Sequence, residues 1–352
     1  MTTRTVASSL RAPARSAGVP ILVEEELLLI NRSTGRALPV TKPVGDALAP
    51  VARAVGSTVT LVSSPATELA AVRGELLRKR RAAAAVAAEH DADLVAVGAA
   101  GEHSDGLVAS SPNVCGLVVR VGVPSDLAVQ VCRRLFGWLP VIGALLANSP
   151  FGSGTDTGHA SWRFVEVHRR ALGALVPYPR STGTPQEMSA TWETAEARLP
   201  EALRYWHVRP AQGSPTVQIR AGDVGLSVDD TVAAVGLLRA AVTQAIGAAR
   251  AGRPDILAAP EMVRPAQWQA ARQGLTGRLA DPLSGHAAPA WQVLDRFAET
   301  ALPADADHEP VRAGLARLRG EGTGAERQRR IAQRTADPRT ALTVLARLTT
   351  QG

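Results

Sequence analysis

Three consecutive glutamates interrupt an apolar stretch near the start of the chain. Residues 20–30 read PILVEEELLLI, with Glu24, Glu25 and Glu26 at the centre. The apolar flanks predict a strand over 21–30, and alternate side chains of a strand share a face, so Glu24 and Glu26 point one way and Glu25 the other. Two carboxylates on one face can converge on a hard cation such as Mg²⁺, which prefers oxygen ligands. The alternative is a half-exposed strand end whose glutamates meet arginines from neighbouring strands.

Other common signatures of nucleotide or hydrolytic chemistry are absent from the sequence. There is no GxxxxGK[ST] motif, which excludes a P-loop NTPase. The glycine-rich stretch 152–158 has the spacing GxGxxxG and follows no predicted strand, so it does not indicate a dinucleotide site. The seven histidines show no HxxxH spacing, and no GxSxG motif occurs. Zinc and serine hydrolases are therefore disfavoured.

The composition indicates a folded globular protein. Of 352 residues, 45% are hydrophobic and 20% charged. The net charge is +7, but only Lys42 and Lys79 are lysines and aromatic residues make up 3%, so dispersed arginine gives no basis for nucleic-acid binding. The densest basic cluster, residues 78–81 (RKRR), falls in a helical stretch and is expected to be a solvated face.

Neither cysteine usage nor apolar segments indicate secretion or membrane insertion. Cys115 and Cys132 belong to no metal or redox motif, so both are expected to be packing residues. The first 18 residues contain no continuous apolar stretch of the kind a signal peptide needs. The longest apolar segment, 135–147, is too short to cross a bilayer. We expect a cytoplasmic protein without a membrane partner.

The order of predicted elements indicates an α+β fold. Strands are predicted over 21–30, 57–63, 94–98, 114–123, 205–209 and 215–224. Helices are predicted over 67–90, 125–147, 228–250, 265–273, 289–300, 309–319, 323–334 and 338–350. Because strands gather in the first two thirds and helices in the last third, we expect a sheet with helices packed on one face. The expected organisation is a mobile tail (1–20), a single domain (21–335) and a C-terminal helix (336–352).

Several long segments resemble the glutamate-cysteine ligase type 2 family of carboxylate-amine ligases, in the family's order. They begin with VEEELLLINRSTGRALP (23–39) and continue through 67–98, 114–163, 205–230 and 267–282. The segment GTGAERQR (322–329) is similar to the family's C-terminal region. The resemblance implies a fold related to the catalytic domain of glutamine synthetase, with a curved, mainly antiparallel sheet whose concave face holds ATP, metal ions and an amino acid.

The resemblance also implies an ATP- and Mg²⁺-dependent reaction that phosphorylates the γ-carboxyl group of glutamate and lets an amine displace the phosphate. Matched to this sequence, Glu24 and Glu26 fall on the metal-binding carboxylates and Arg220 falls on a catalytic arginine near the phosphates. Nucleotide or substrate contacts are implied for Asn148, Ser149, Ser161, Arg163 and Arg209. Metal ions would neutralise the triphosphate while arginines stabilise the transferred group.

The sequence departs from the family pattern at the implied metal site. Thr60 and Gln218 stand where carboxylates are expected, and they remain candidates for nucleotide or substrate contacts as neutral oxygen donors. The family's CGxHVHVG reads CGLVVRVG over 115–122, so Val118 and Arg120 replace two histidines. We expect Arg120, a second catalytic candidate, to pair with Glu24 or Glu26 in place of one metal ion, because a buried carboxylate pair without a cation is costly.

Two functions stay open. The first is a weak or divergent ATP-dependent carboxylate-amine ligase with weakened Mg²⁺ binding, acting on a small-molecule amino acid and an amine. The second is a catalytically inactive pseudoenzyme of the same fold that acts as a binding or regulatory subunit. The sequence leaves open a homo-oligomer or a pairing with an intact paralogue.

Overall fold

The computed structural model describes residues 18–99, 113–170, 185–198, 207–211, 213–253, 260–304, 307–335 and 337–351. The expected mobile tail lies outside the described residues up to residue 17. The sequence also predicts loops over 98–113 and 176–187, and both fall largely outside the described residues.

A seven-stranded antiparallel sheet forms the centre of the fold, in the order β2-β3-β1-β5-β9-β8, with β4 beside β5 on the same edge of β1. Its strands are β1 (Ile21–Asn31), β2 (Arg53–Val55), β3 (Thr58–Val62), β4 (Ala92–Val95), β5 (Gly116–Gly122), β8 (Val208–Pro210) and β9 (Thr216–Asp223). Two small hairpins lie outside it, formed by β6 (Phe151–Gly152) with β7 (Thr155–Asp156) and by β10 (Arg278–Ala280) with β11 (Ala287–Pro289). The predicted antiparallel sheet is confirmed, and the strand predicted at 94–98 lies at 92–95.

Helices cover the sheet and form most of the last third of the chain, as predicted. They are α1 (Lys42–Leu48), α2 (Leu69–Glu89), α3 (Ala128–Phe136), α4 (Leu139–Leu145), α5 (Trp162–Arg170), α6 (Pro185–Arg198), α7 (Val228–Arg250), α8 (Pro260–Gln273), α9 (Ala290–Ala301), α10 (His308–Glu321), α11 (Gly324–Arg334) and α12 (Pro338–Thr349). The central helix α7 starts at a capping box, in which Ser227 and Asp230 each bond the other's backbone N–H.

The main core lies between the sheet and α7. Val23 of β1 and Val119 of β5 pack in one buried cluster with residues of α7 such as Leu237 and Leu238. Cys132 belongs to this cluster and Cys115 to a second one, so both cysteines are buried packing residues as expected. Although α7 is long and apolar enough to cross a membrane, 72% of its most apolar window is buried inside the fold.

The single helix predicted over 125–147 is wrong, because the structure contains two helices bent by 67° at this point. The break follows from Pro140, which lacks a backbone N–H and whose ring would clash with the carbonyl of the residue four positions earlier. That residue is Phe136, where α3 ends, and Pro140 takes its place in the first turn of α4.

The prediction of a solvated basic cluster is wrong for one of its members. Arg78 and Arg81 are exposed, but Arg80 is fully buried. It lies on the same stripe of α2 as the buried Leu76 and Ala83, since residues three and four apart share a helix face. The guanidinium of Arg80 donates to both carboxylate oxygens of Glu25 at 2.9 and 2.6 Å. Glu25 therefore belongs to the helix-covered side of the sheet.

Candidate active site

The opposite side of the sheet gathers most of the polar residues singled out in the sequence. Directly paired residues of antiparallel strands project to the same face, and the register pairs Arg53 with Thr60, Thr60 with Glu26, and Arg120 with Gln218. We call this surface the polar face. Its members include Glu24, Glu26, Arg53, Thr60, Arg120, Arg209 and Gln218.

Glu24 lies between Arg120 of the adjacent strand β5 and Arg53 of β2, one strand further on the other side. Its Oε1 is 3.4 Å from Nη2 of Arg53, and its Oε2 is 3.3 Å from Nη1 of Arg120. The expected ion pair of Arg120 is thus present and uses Glu24, while the part played by Arg53 was not predicted. Since the side chains of Arg120 and Glu24 are 25% and 12% exposed, solvent screens their pair weakly, whereas the pair with Arg53, which is 62% exposed, is screened more strongly. The charge of this carboxylate is offset by protein cations.

Glu26 has a different environment on the polar face. Its Oε2 accepts a hydrogen bond from the backbone N–H of Gly116 at 2.9 Å. Among the described residues, no group of three or more histidine, cysteine, aspartate or glutamate side chains converges as a metal site. Mg²⁺ commonly uses one carboxylate together with water and substrate phosphates, and Glu26 with the hydroxyl of Thr60, its direct cross-strand partner, fits that arrangement. Glu24, held by two arginines, does not. Gln218 lies on β9 beside Arg120, and its Oε1 accepts from Arg209, so it belongs with the arginines rather than with Glu26.

Three arginines form a cationic cluster at the other end of the polar face. Arg209 donates from Nη2 to Oε1 of Gln218 at 3.4 Å. Burial lowers the pKa of Arg209, and the charges of Arg220 and Arg120 lower it further. Guanidinium groups close enough to oppose each other's charge form a site that favours a multiply charged anion such as a phosphate chain.

A β-bulge in β9 lies at Arg220, a member of this cluster. Leu117 pairs with Gly222 and Val119 with Ile219, so Arg220 and Ala221 both stand opposite the single residue between Leu117 and Val119. A bulge changes which residues of a strand reach each face and is often found beside active sites. Beyond the bulge, Asp223 pairs with Gly116 and so lies on the side of the polar face. The backbone N–H of Arg220 donates to the carbonyl oxygen of His207 at 2.6 Å, which anchors the bulge.

Asp223 organises the loop implied by the family resemblance, and sequence reasoning missed it. The backbone N–H of Asn148 and the hydroxyl of Ser149 donate to its Oδ2 at 2.8 and 2.6 Å, and the hydroxyl of Ser161 donates to its Oδ1 at 2.8 Å. Asp223 is fully buried, and burial raises the pKa of its carboxyl against the opposing effect of the Arg163 charge. The sequence offered one signal for this role, since Asp223 is a lone carboxylate near the end of the strand predicted over 215–224.

The loop residues differ in what their side chains reach. Asn148 donates to two backbone carbonyls, those of Ala96 and Val224, both at 2.9 Å. The hydroxyls of Ser149 and Ser161 hold Asp223, so the structure shows these three residues positioning the loop. The side chain of Arg163 extends toward the polar face and ends against Gly116. A Cβ placed on Gly116 would lie only 2.3 Å from Nη2 of Arg163.

A cleft adjoins the polar face at Arg163. It is small, with a cavity volume of about 20 Å³. Polar groups of Arg163, His207, Asp223 and Gln267 line part of it, and α4 and α8 supply apolar walls.

Two buried histidines meet beside this cleft, and one of them, His207, lines it. The Nε2 atoms of His168 and His207 are 3.3 Å apart, and Phe164 stacks on His168 with ring centroids 3.8 Å apart. Each Nδ1 faces a backbone carbonyl oxygen, that of Phe164 for His168 and that of Arg220 for His207. Burial lowers the pKa of His168 to about 4 and that of His207 to about 3. Both imidazoles are therefore neutral at pH 7.

This pair predicts a loss of stability in mild acid. Because the unfolded histidines take up protons near pH 6.5 and the folded ones only near pH 4 and pH 3, the unfolded state binds more protons between these values. The free energy of unfolding should fall from pH 6.5 to pH 4, by about 1.4 kcal/mol per unit of pKa difference for each ring. Urea titrations across this range measure it.

The matched controls are His207→Gln, which removes one of the buried rings, and His286→Gln, which changes an exposed ring. His207→Gln should give a shallower pH dependence than the wild type, and His286→Gln should reproduce the wild-type slope. Equal slopes in all three proteins would contradict the assignment.

Comparison with solved structures gives the class of fold. The chain is similar to the crystal structure of glutamate–cysteine ligase from Francisella tularensis in complex with AMP, with a TM-score of 0.69, 11% identity, and coverage of 96% of this chain and 89% of that one. It is also similar to the ligase PafA in complex with the prokaryotic ubiquitin-like protein Pup, with a TM-score of 0.55, 12% identity, and coverage of 95% and 73%. At these identities the likeness establishes a shared fold.

Sequence comparison gives the family. Residues 23–346 match the profile of glutamate-cysteine ligase family 2. Relatives from Salinispora tropica and Salinispora arenicola, both named "Putative glutamate--cysteine ligase 2", are 41% and 40% identical. The alignments cover 92% and 94% of this chain and 93% and 95% of the relatives. The chain belongs to glutamate-cysteine ligase family 2.

Proposed function

We propose that this protein is an ATP-dependent carboxylate-amine ligase whose activity is weak or altered in substrate relative to its family. The observation that carries the proposal is the convergence of Arg120, Arg209 and Arg220 on the sheet face that also carries Glu24 and Glu26, next to a cleft lined by Arg163. Family membership and the shared fold support the reaction class.

In this reaction a carboxylate oxygen of the acid attacks the γ-phosphorus of ATP, and ADP leaves with the electrons of the broken P–O bond. The amine nitrogen then attacks the carbonyl carbon of the acyl phosphate, phosphate leaves, and the nitrogen loses its proton to solvent. In this proposal Arg220 and Arg120 stabilise the negative charge on the transferred phosphoryl group. Arg163, which lines the cleft and lies close to Gly116 of the polar face, orients the acid.

Mg²⁺ is proposed to be bound through Glu26 as part of its nucleotide complex, with Thr60 as a neutral neighbour. When bound, it would offset charge on the phosphates. Two carboxylates fewer than the family pattern lower the expected affinity for the ion.

The test supplies Mg²⁺, ATP, glutamate and a panel of amines including cysteine, and measures ADP release and product mass. The expected result is ADP release that requires both an acid and an amine, with a product mass equal to their sum minus water. The same mixture without the protein sets the background. ADP at that background with every acid and amine pair would overturn the ligase proposal.

The replaced carboxylates favour a second candidate, a catalytically inactive pseudoenzyme that binds ligands or regulates an intact paralogue. Its support is that Glu24 is neutralised by Arg53 and Arg120 while Thr60 and Gln218 carry no charge. It predicts nucleotide or amino acid binding, measured by calorimetry, in the absence of any ADP release.

A further inference from the structure

We infer that Glu24 is a positioning residue for Arg120 rather than a metal ligand, and that Arg120 takes the place of a cation in holding the phosphate chain of a nucleotide. The inference rests on the proposed nucleotide site. It predicts that a nucleoside diphosphate binds this protein with little dependence on Mg²⁺.

The first support is the geometry around Glu24. Both carboxylate oxygens are engaged by guanidinium groups, at 3.4 Å from Arg53 and 3.3 Å from Arg120. A divalent ion at this carboxylate would be placed against two positive charges and would have to displace them. Arginines of the sheet itself therefore supply the counter-charge of Glu24.

The second support is the position of Arg120. On β5 it lies directly between Leu22 of β1 and Gln218 of β9, and only a quarter of its side chain is exposed. Its charge acts on Arg209, as does the charge of Arg220. Glu24 holds Arg120 from the side of β1, so the remaining donors of its planar guanidinium can face the same anion as its two neighbours. Arginine donors in a fixed fork match phosphate oxygens well.

The contrast with Glu26 makes the inference specific. Glu26 accepts a backbone hydrogen bond from Gly116 and lies across from the neutral Thr60. If a cation accompanies the nucleotide, this carboxylate is the one open to it in the proposed function. The two glutamates thus have different roles on the same strand face. Glu24 positions Arg120, and Glu26 faces the nucleotide complex.

The experiment measures ADP binding by isothermal titration calorimetry, once with EDTA and once with excess Mg²⁺. For the wild type we expect the two dissociation constants to agree within about threefold. Arg120→Gln should weaken binding in EDTA by about tenfold or more, as expected for the loss of a charge-assisted hydrogen bond, and Arg120→Lys should restore part of it. Arg32→Gln is the matched control, because Arg32 pairs with Asp93 at the far end of β1.

Glu24→Gln separates the two roles of this carboxylate. A positioning residue gives similar losses with and without Mg²⁺, so the ratio of the two constants stays as in the wild type. If Glu24 is a metal ligand, Glu24→Gln weakens ADP binding only in the titration with Mg²⁺, and that result would overturn the inference. Wild-type ADP binding that requires Mg²⁺ would overturn it as well. Binding that requires Mg²⁺ leaves the proposed ligase intact, whereas the absence of ADP binding in both arms would overturn the nucleotide site as well. Circular dichroism spectra confirm that each variant is folded.

Discussion

Replacing Arg80 with methionine is expected to lower the free energy of unfolding by about 3–5 kcal/mol, because it leaves the carboxylate of Glu25 buried without its cation. Both side chains are fully buried, and they are joined by two short hydrogen bonds. The hydroxyl of Thr231 in α7 also donates to Glu25, at 2.6 Å. A change at this single position therefore affects β1, α2 and α7 together.

Arg80 also donates hydrogen bonds to backbone carbonyls, one of them in the C-terminal helix. Its guanidinium reaches the carbonyl oxygens of Gly225 at 3.0 Å and Thr349 at 3.2 Å, the second at the last residue of α12. Removing it leaves buried carbonyls without a donor, at a cost of about 1–3 kcal/mol each. The C-terminal helix should consequently be the first element to lose protection from hydrogen exchange in Arg80→Met.

The control for this prediction is Arg78→Met, in the same basic run but exposed, which should change the free energy of unfolding by less than about 0.5 kcal/mol. The double variant Glu25→Met/Arg80→Met should be more stable than the sum of the single losses predicts, because it removes the unpaired charge. Chemical denaturation measures all of these values. Similar stabilities for Arg80→Met and Arg78→Met would show that the buried pair does not hold these elements together.

The second large effect concerns turnover under the proposed function. Arg220→Gln is expected to lower kcat for ADP release by about 10²–10³-fold, the usual cost of removing a donor that stabilises charge in a transition state. The backbone contacts of Arg220 with His207 use its N–H and carbonyl, so they are retained in the variant. The melting temperature should accordingly change little.

Arg169→Gln provides the matched control, since this arginine lies on α5 with 55% of its side chain exposed. It should keep the wild-type kcat. Arg220→Lys should recover part of the lost rate, because an ammonium keeps the charge without the planar fork of donors. Unchanged kcat in Arg220→Gln would assign the stabilising charge to other residues of the polar face.

The structural features that could be predicted from the sequence were those set by the local periodicity of strands and helices. The alternation of PILVEEELLLI separated Glu24 and Glu26 from Glu25, and the structure places Glu25 on the helix-covered side. The same alternation put Arg120 within reach of Glu24, because neighbouring strands of an antiparallel sheet align their faces. Most helix boundaries in the last third were predicted closely for the same reason, since caps and apolar spacing are properties of adjacent residues; the exception is α8, which begins at Pro260 rather than at residue 265.

Only the tertiary structure decided which distant groups meet. Arg80 pairs with Glu25 across 55 positions of the chain, and the hydroxyls of Ser149 and Ser161 meet the buried Asp223 across 74 and 62. The bulge at Arg220 shifts the alternation of β9 by one residue, which no period of two can predict. Sequence spacing fixes the direction of a side chain relative to its own strand or helix. The packing of separate elements determines whether that direction ends at solvent, at a counter-ion or at a site.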